Sequence, residues 1–268
     1  MSAKKIAIAN QKGGVGKTTT AINVGIGLAR EGKKVLLVDF DTQGSMTKAL
    51  GIKADALRHT ICTVMDKALE GDSPEQLKCY MEEFVKLHQE EGVDFIPSNS
   101  ILAGMENTLL DERPEVRNYI LKGILDIYLE EYDFILIDCQ PSLGILTLNA
   151  FCASDRAIVP VQAQFLALEG FEELIKTVRR VRKKLNPTID IEGVLLTMTQ
   201  KNTNMTRQIS ESLRDKYGRV LNIYQASIPY TVRLGECAQK GRSIYSHDRK
   251  SPAADAYMDI VREVMAYE

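Results

Sequence analysis

Tryptophan is absent from this chain, and only three histidines and five cysteines occur among its 268 residues. Cys62, Cys79, Cys139, Cys152 and Cys237 form no C-x-x-C pair, and His59, His88 and His247 are scattered. This argues against a zinc module and against a disulfide scaffold, leaving reduced core or surface thiols as the reading. Long hydrophobic runs are also missing. The longest, such as "FILI" and "VLLV", have strand length, far short of the ~20 residues of a bilayer span. The opening "MSAKKIAIAN" has too short an apolar stretch for a secretory leader, so a cytoplasmic location without membrane is expected. Repeats, low-complexity tracts and linkers are lacking too, and residues 1–268 read as one domain able to bury a sizeable core.

What is present is an ordinary globular composition, 44% hydrophobic and 26% charged, with a net charge of −2. That small number hides a polarity. Residues 176–250 carry 16 Lys and Arg against 6 Asp and Glu, a surplus of +10, while the remainder carries 18 against 30, or −12. A chain divided this way can present a basic face to a polyanion although it is almost neutral overall.

Short β-rich runs alternate with helical patterns. Strands are expected at 4–10, 34–41, 93–99, 133–139, 156–162, 191–198 and 220–229, most of them continuously apolar, as in parallel strands covered on both faces. Helices are expected at 18–31, 74–91, 114–131, 143–152, 166–185, 203–217 and 253–267. Residues 53–92 read as a helical excursion. The alternation gives a doubly wound, mostly parallel α/β sheet flanked by helices.

One strand–loop–helix unit carries chemistry. After "IAIAN" comes "QKGGVGK" and then the helical "TTTAINVGIGLAREG". Gly13, Gly14, Val15 and Gly16 let backbone N–H groups converge on phosphate oxygens at a helix N-terminus. Lys17 is placed for the β- and γ-phosphates of a nucleoside triphosphate, the Thr18 hydroxyl for Mg²⁺, and Thr19 for an oxygen near the α-phosphate. The usual first glycine of the pattern is missing, since position 11 is Gln11. Lys12 is a second lysine on the near rim of the loop. It is either a solvated surface cation or a group aimed across an interface at a second subunit's phosphates. "VLLVDFDTQG" ends a strand with two carboxylates, Asp39 and Asp41, and "YDFILIDCQPSLG" ends another with Asp138. At the C-terminal edge of a parallel sheet such acids face bound phosphates, although an Asp after a strand also suits turns and helix caps.

"KGGVGKTT" resembles the deviant Walker A box of the ParA/MinD family of P-loop NTPases, which also lacks the first glycine. "DFDTQGS" resembles the family's D-x-D-P-Q-G-N, with Thr42 for Pro and Ser45 for Asn. "DCQPSLG" resembles D-C-P-P-S-L-G, with Gln140 for the first proline. The resemblance implies an ATPase whose Lys12 acts in trans within a nucleotide-sandwich homodimer. It implies that Asp41 orients the attacking water and that Asp39 supports the Mg²⁺ shell and the lysines. Asp138 would hold Mg²⁺ through water in line with Thr18, and 141–144 would sense the γ-phosphate. The C-terminal "ASIPYTVRLGECAQKGRSIYSHDRKSPAADAYMDIV" also resembles the family.

In that resemblance Arg233 falls on a DNA-binding arginine and Asn202 replaces a second one, with Lys201 or Arg207 as substitutes. Met198 and Pro229 fall where the family lines its adenine pocket, though both residue types also suit core and turn. The basic "TVRRVRKKL" is either a solvated helix face or a non-specific DNA contact. The resemblance is to the short, Soj-like class, and it implies non-specific DNA, a ParB-like centromere-binding partner and association with the nucleoid. Two other classes share the fold: MinD-like positioning ATPases, whose basic amphipathic tail contrasts with the acidic "YMDIVREVMAYE" here, and small-molecule enzymes, of which an ATP-dependent carboxylase would not need Lys12 and an iron-protein reductase would need cluster ligands beyond Cys139.

Overall fold

The computed structural model describes residues 2–82, 85–88, 90–163, 167–200 and 204–266. Seven strands form one sheet: β1 (Lys4–Ile8), β2 (Val35–Phe40), β3 (Lys86–His88), β4 (Val93–Ile96), β5 (Phe134–Cys139), β6 (Arg156–Gln162) and β7 (Asp190–Thr197). Their order is β3-β4-β2-β5-β1-β6-β7. All neighbours run parallel except β3, which pairs antiparallel with β4 at the edge. The chain leaves β1 towards β2 on one side, and later crosses from β5 to β6 on the other. The reversal opens a crevice beyond the C-terminal ends of β1, β2 and β5, where open α/β sheets bind ligands.

Alternation along the strands sorts side chains to two faces. Ile6, Ile8, Val35, Leu37, Phe134 and Leu136 join the core beneath helix Lys17–Arg30 and the C-terminal helix Pro252–Ala266. Ala7, Leu36, Val38, Ile135 and Ile137 join the core on the opposite face. Helix Lys17–Arg30 lies close to both of its neighbours because glycines line it. A Cβ on Gly25 would fall 2.4 Å from a Leu37 methyl, and one on Gly27 would fall 2.6 Å from Val261. A second backbone contact lies nearer the crevice. Short helix Ser45–Ala49 runs into Gly51, helix Val232–Lys240 runs into Gly241, and a Cβ on Gly241 would fall 2.7 Å from the Gly51 Cα.

Three expected elements differ. Residues 220–229 are not a continuous strand: their pairing is reduced to isolated bridges, Ile223 with Val194 on β7 and Pro229 with Thr199 just beyond it, and a bond from Ile228 N–H to the Leu196 carbonyl. Between the bridges, the N–H groups of Gln225 and Ala226 donate to the Glu263 carboxylate at 3.1–3.2 Å instead of to the sheet. The helix expected at 114–131 is two pieces, Pro114–Arg117 and Ile120–Asp126. Buried Asn149 stands at the break, where its amide donates to the Arg117 carbonyl at 2.6 Å and its carbonyl accepts from Leu121 N–H. A side chain inserted into the ladder in this way interrupts a helix. The excursion at 53–92 is helical at Ile61–Glu70 and Pro74–Glu82 but closes with β3 rather than with more helix. Helices Leu102–Asp111 and Val232–Lys240 were not anticipated. Among the described residues no helix is long and apolar enough to cross a membrane.

Candidate functional site

The glycine-rich segment leaves β1 and turns into helix Lys17–Arg30 at the crevice. Gly14 and Gly16 take φ of 71° and 88°, a left-handed conformation that side chains resist. One neighbouring and one distant residue hold the loop in shape. Asn10, almost fully buried, donates to the Pro160 carbonyl at 2.7 Å and accepts from Lys12 N–H at 3.0 Å. Thr197, at the end of β7, donates to the Val15 carbonyl at 2.8 Å. Gly13 faces Pro141, a Cβ there lying 3.9 Å from the proline Cβ. Thr18 and Thr19 occupy the first turn of the helix, half-buried.

The two lysines are held differently. Lys17 is buried, and its ammonium donates to the Lys12 carbonyl at 3.0 Å. Burial lowers its pKa against the raising influence of nearby Asp138 and Asp41. Lys12 is half-exposed, and its ammonium makes no hydrogen bond or ion pair with any described residue.

The acids converge as the register requires. Asp39 on β2 is paired in the sheet with Asp138 on β5, so two carboxylates stand side by side on the face of helix Lys17–Arg30. Both are fully buried. Asp39 accepts from Thr47 N–H at 2.8 Å, the Thr47 hydroxyl at 2.6 Å and Asp41 N–H at 3.2 Å. Burial nevertheless raises its pKa to about 6. Neither oxygen of Asp138 has a hydrogen-bond partner. Burial, followed by the charge of Asp39, pushes its pKa well above the usual carboxylate range, and the nearby Thr18 hydroxyl offsets only part of this. An orphaned buried carboxylate beside a threonine hydroxyl and a helix N-terminus suits a divalent cation that takes one or two protein oxygens and completes its shell with water and phosphate. Among the described residues no three His, Cys, Asp or Glu side chains converge to cage a metal.

Asp41 lies just past β2, almost buried. One oxygen accepts from Gln43 N–H at 3.0 Å and the other from the Ser45 hydroxyl at 2.9 Å, so the residue replacing the family asparagine holds the loop aspartate. Ser98 braces the same loop by donating to the Asp41 carbonyl at 3.0 Å.

Pro229 borders a cleft of about 360 Å³ with Thr199, Gln200, Tyr230, Thr231 and Pro252. Met198 lies next to it in the chain and is the one non-glycine with positive φ among the described residues, at 53°. Side chains seldom hold that conformation without reason. Arg233 opens helix Val232–Lys240 directly after this cleft, 54% exposed, and pairs with Glu236 at 3.1 Å and Asp248 at 3.7 Å. Arg207 is exposed, 4.0 Å from Glu211, whereas Lys201 and Asn202 lie outside the described residues. The basic run of helix Ala167–Lys184 ends beside the start of β7, where Arg182 pairs with Asp190 at 2.9 Å. It therefore sits by the N-terminal end of β7, whereas the phosphate loop is braced by Thr197 at the C-terminal end of the same strand. Asn10 and Thr47 escaped the sequence reading although both lie near what they brace, whereas Ser98 and Thr197 arrive from distant parts of the chain that no local spacing marks.

A family model described as an AAA domain matches residues 3–191. The chain is 44% identical to the sporulation initiation inhibitor protein Soj of Bacillus subtilis, over 98% of each chain. It is 40% identical to the chromosome partitioning protein ParA of Caulobacter vibrioides, over 98% of this chain and 94% of that one. A solved structure of cobyrinic acid a,c-diamide synthase from Mycobacterium smegmatis, with bound ATP analog and magnesium, superposes with a TM-score of 0.83 at 32% identity. It covers 99% of this chain and 95% of that one.

Proposed function

The chain belongs to the Soj/ParA family of chromosome-partitioning ATPases, and from that premise we propose that it is a single-domain, ATP-driven switch that pairs with its own copy and thereby binds DNA. The observation that carries the reading is the unlike state of its two lysines. Lys17 is buried and committed to its own loop, whereas the Lys12 ammonium is unbonded on the rim. A cation there can serve the triphosphate of a facing copy.

ATP is the substrate. The amides of Gly13 to Thr19 and the helix N-terminus receive its phosphates, and Lys17 exchanges the Lys12 carbonyl for phosphate oxygens. Thr18, Asp39 and Asp138 would hold Mg²⁺, which when bound neutralises charge on the phosphates. Asp41, fixed by Ser45 and Gln43, accepts a hydrogen bond from the attacking water and aims it at the γ-phosphorus. The water oxygen bonds to phosphorus, the bond to the β–γ bridging oxygen breaks, and ADP, phosphate and a proton leave. The partner subunit's Lys12 stabilises the charge that develops. The cleft at Pro229 and Met198 receives the adenine.

ATP shifts the equilibrium only as far as it favours the pair over the single chain. Pairing doubles the phosphate contacts offered by Arg233 and its neighbours, so DNA affinity rises steeply without sequence preference. A ParB-like partner that speeds hydrolysis returns the single chain and releases it from the nucleoid. Sedimentation with Mg²⁺ and a slowly hydrolysed ATP analogue should show a dimer that ADP does not produce; one unchanged species would sink the proposal. The diamide synthase neighbour favours a second reading, activation of a small carboxylic acid. A chain of that kind would turn over ATP only with its acid substrate and would ignore DNA.

A further inference from the structure

We propose that Glu106 is a positioning residue: through Gln140 it latches the 140–144 loop over the phosphate loop, and so sets how readily ATP drives pairing. The inference builds on the function proposed above, and it arises where this chain departs from its family pattern. Position 140 is a glutamine instead of a proline, and a glutamine side chain can donate two hydrogen bonds.

Both are used. The Gln140 amide donates to Glu106 Oε1 at 2.7 Å and to the Ser142 hydroxyl oxygen at 2.9 Å. That same Ser142 oxygen accepts from Gly144 N–H at 3.2 Å. The Thr147 hydroxyl, in the helix that follows, donates to the Ser142 carbonyl at 2.8 Å. The loop is thus drawn into one compact shape around Gln140, itself nearly buried. In that shape Pro141 packs against Gly13, beside Lys12. Gly144 lies against both partners, since a Cβ there would be in ordinary contact with Glu106 Oε1 at 3.5 Å and Ser142 Oγ at 3.4 Å.

Glu106 is the partner in this network that comes from a distant part of the chain. Its helix, Leu102–Asp111, is pinned to the core by Leu102, Met105 and Leu109. The connection that leads into this helix also carries Ser98, which braces Asp41. One stretch, 98–106, therefore holds both loops that face the phosphates: the Asp41 loop through Ser98 and the 140–144 loop through Glu106. The bond to Glu106 is charge-assisted and half-buried, hence stronger than a neutral one and costly to leave half-made. Ile101 and Leu110 lie at the two ends of this helix with 63% and 57% of their surface exposed, so the outer side of the same helix faces solvent.

The test uses the full chain with Glu106→Ala, Gln140→Glu, and the exchanged double variant Glu106→Gln/Gln140→Glu, in which donor and acceptor trade places. The first readout is amide hydrogen exchange of residues 140–147 without nucleotide. Both single variants should exchange about tenfold faster there, as loss of one charge-assisted bond implies, and the exchanged pair should recover most of the protection. The second is the split of steady-state constants, with kcat falling about tenfold in the single variants while KM for ATP moves about twofold or less. Unaltered exchange in the single variants overturns the latch, and so does an exchanged pair that folds, by circular dichroism, but shows no recovery. A parent chain that never pairs with ATP would overturn the proposed function instead, since loop protection reports the latch by itself.

Discussion

At the scale of single residues, the site is a negotiation among a few buried charges. Asp39 and Asp138 are adjacent in the sheet, both enclosed and both held to their protons more tightly than usual. Below about pH 4 such a carboxyl is protonated in the folded and unfolded chain alike. As pH rises towards the folded value, about 6 for Asp39, the unfolded chain has released a proton that the folded chain still keeps. Stability is lost across that window and stays lower above it. Asp138→Asn removes the less compensated charge. In EDTA and without nucleotide, this variant should melt a few degrees higher than the parent at pH 7.5, with the gain shrinking towards pH 5. A melting temperature at or below the parent's at pH 7.5 contradicts the assignment. Lys12 poses the complementary case. Lys12→Ala should bind a fluorescent ATP analogue within about threefold of the parent, yet lose pairing and about 10³-fold in turnover, the scale of a cation supplied in trans. Unchanged turnover would leave Lys12 an ordinary surface residue.

At the scale of elements, what the sequence discloses depends on where an element finds its partners. Strands β1, β2, β5, β6 and β7 are buried on both faces, and their unbroken apolar runs announce it. Helix Leu102–Asp111 was readable in hindsight from Leu102, Met105 and Leu109 at helical spacing. The break at 118–119 was not, because it depends on Asn149, about thirty residues away and otherwise unremarkable in a hydrophobic helix. The same holds for 220–229, a plausible strand until Glu263 takes two of its N–H groups. The site divides along the same line. Its phosphate loop and acids are legible because each box is contiguous in the chain, whereas bracing contacts such as Asn10 to Pro160, Thr197 to Val15 and Glu106 to Gln140 act across the fold. Asn149→Ala leaves the Arg117 carbonyl and the Leu121 N–H without partners in the core. It should cost about 2 kcal/mol in urea unfolding, with the slope against urea unchanged. A loss below about 0.5 kcal/mol would mean that the break forms without it.

At the scale of the whole molecule, the basic residues of 176–250 are themselves divided in place. The cations of helix Ala167–Lys184 stand over one face of the sheet, where Val178 and Val181 join one core, while the helix of Arg233 packs through Leu234 and Cys237 on the other. Arg233 is also guarded. Glu236 and Asp248 both reach it, and His247 donates to or bonds the same Glu236 oxygen at 2.9 Å. The His247 bond, and then Arg233, hold the Glu236 carboxyl below its usual range, so it remains an anion with which any phosphate brought to Arg233 would compete. With ATP present, Arg233→Glu should weaken DNA binding by at least tenfold. It should also flatten the salt dependence by about two units of slope, one for each copy in a pair. Glu236→Gln should strengthen binding severalfold, and equal affinity of both variants and the parent in fluorescence anisotropy would remove Arg233 from the interface. The contact of Gly51 with Gly241 joins the helix of this guarded arginine to the segment behind Asp41. With no side chain between them, the two turns meet as bare backbone, like bricks laid without mortar. A methyl group on Gly241 would fall 2.7 Å from the Gly51 Cα and one on Gly51 3.3 Å from the Gly241 Cα, so either would prise that seam open.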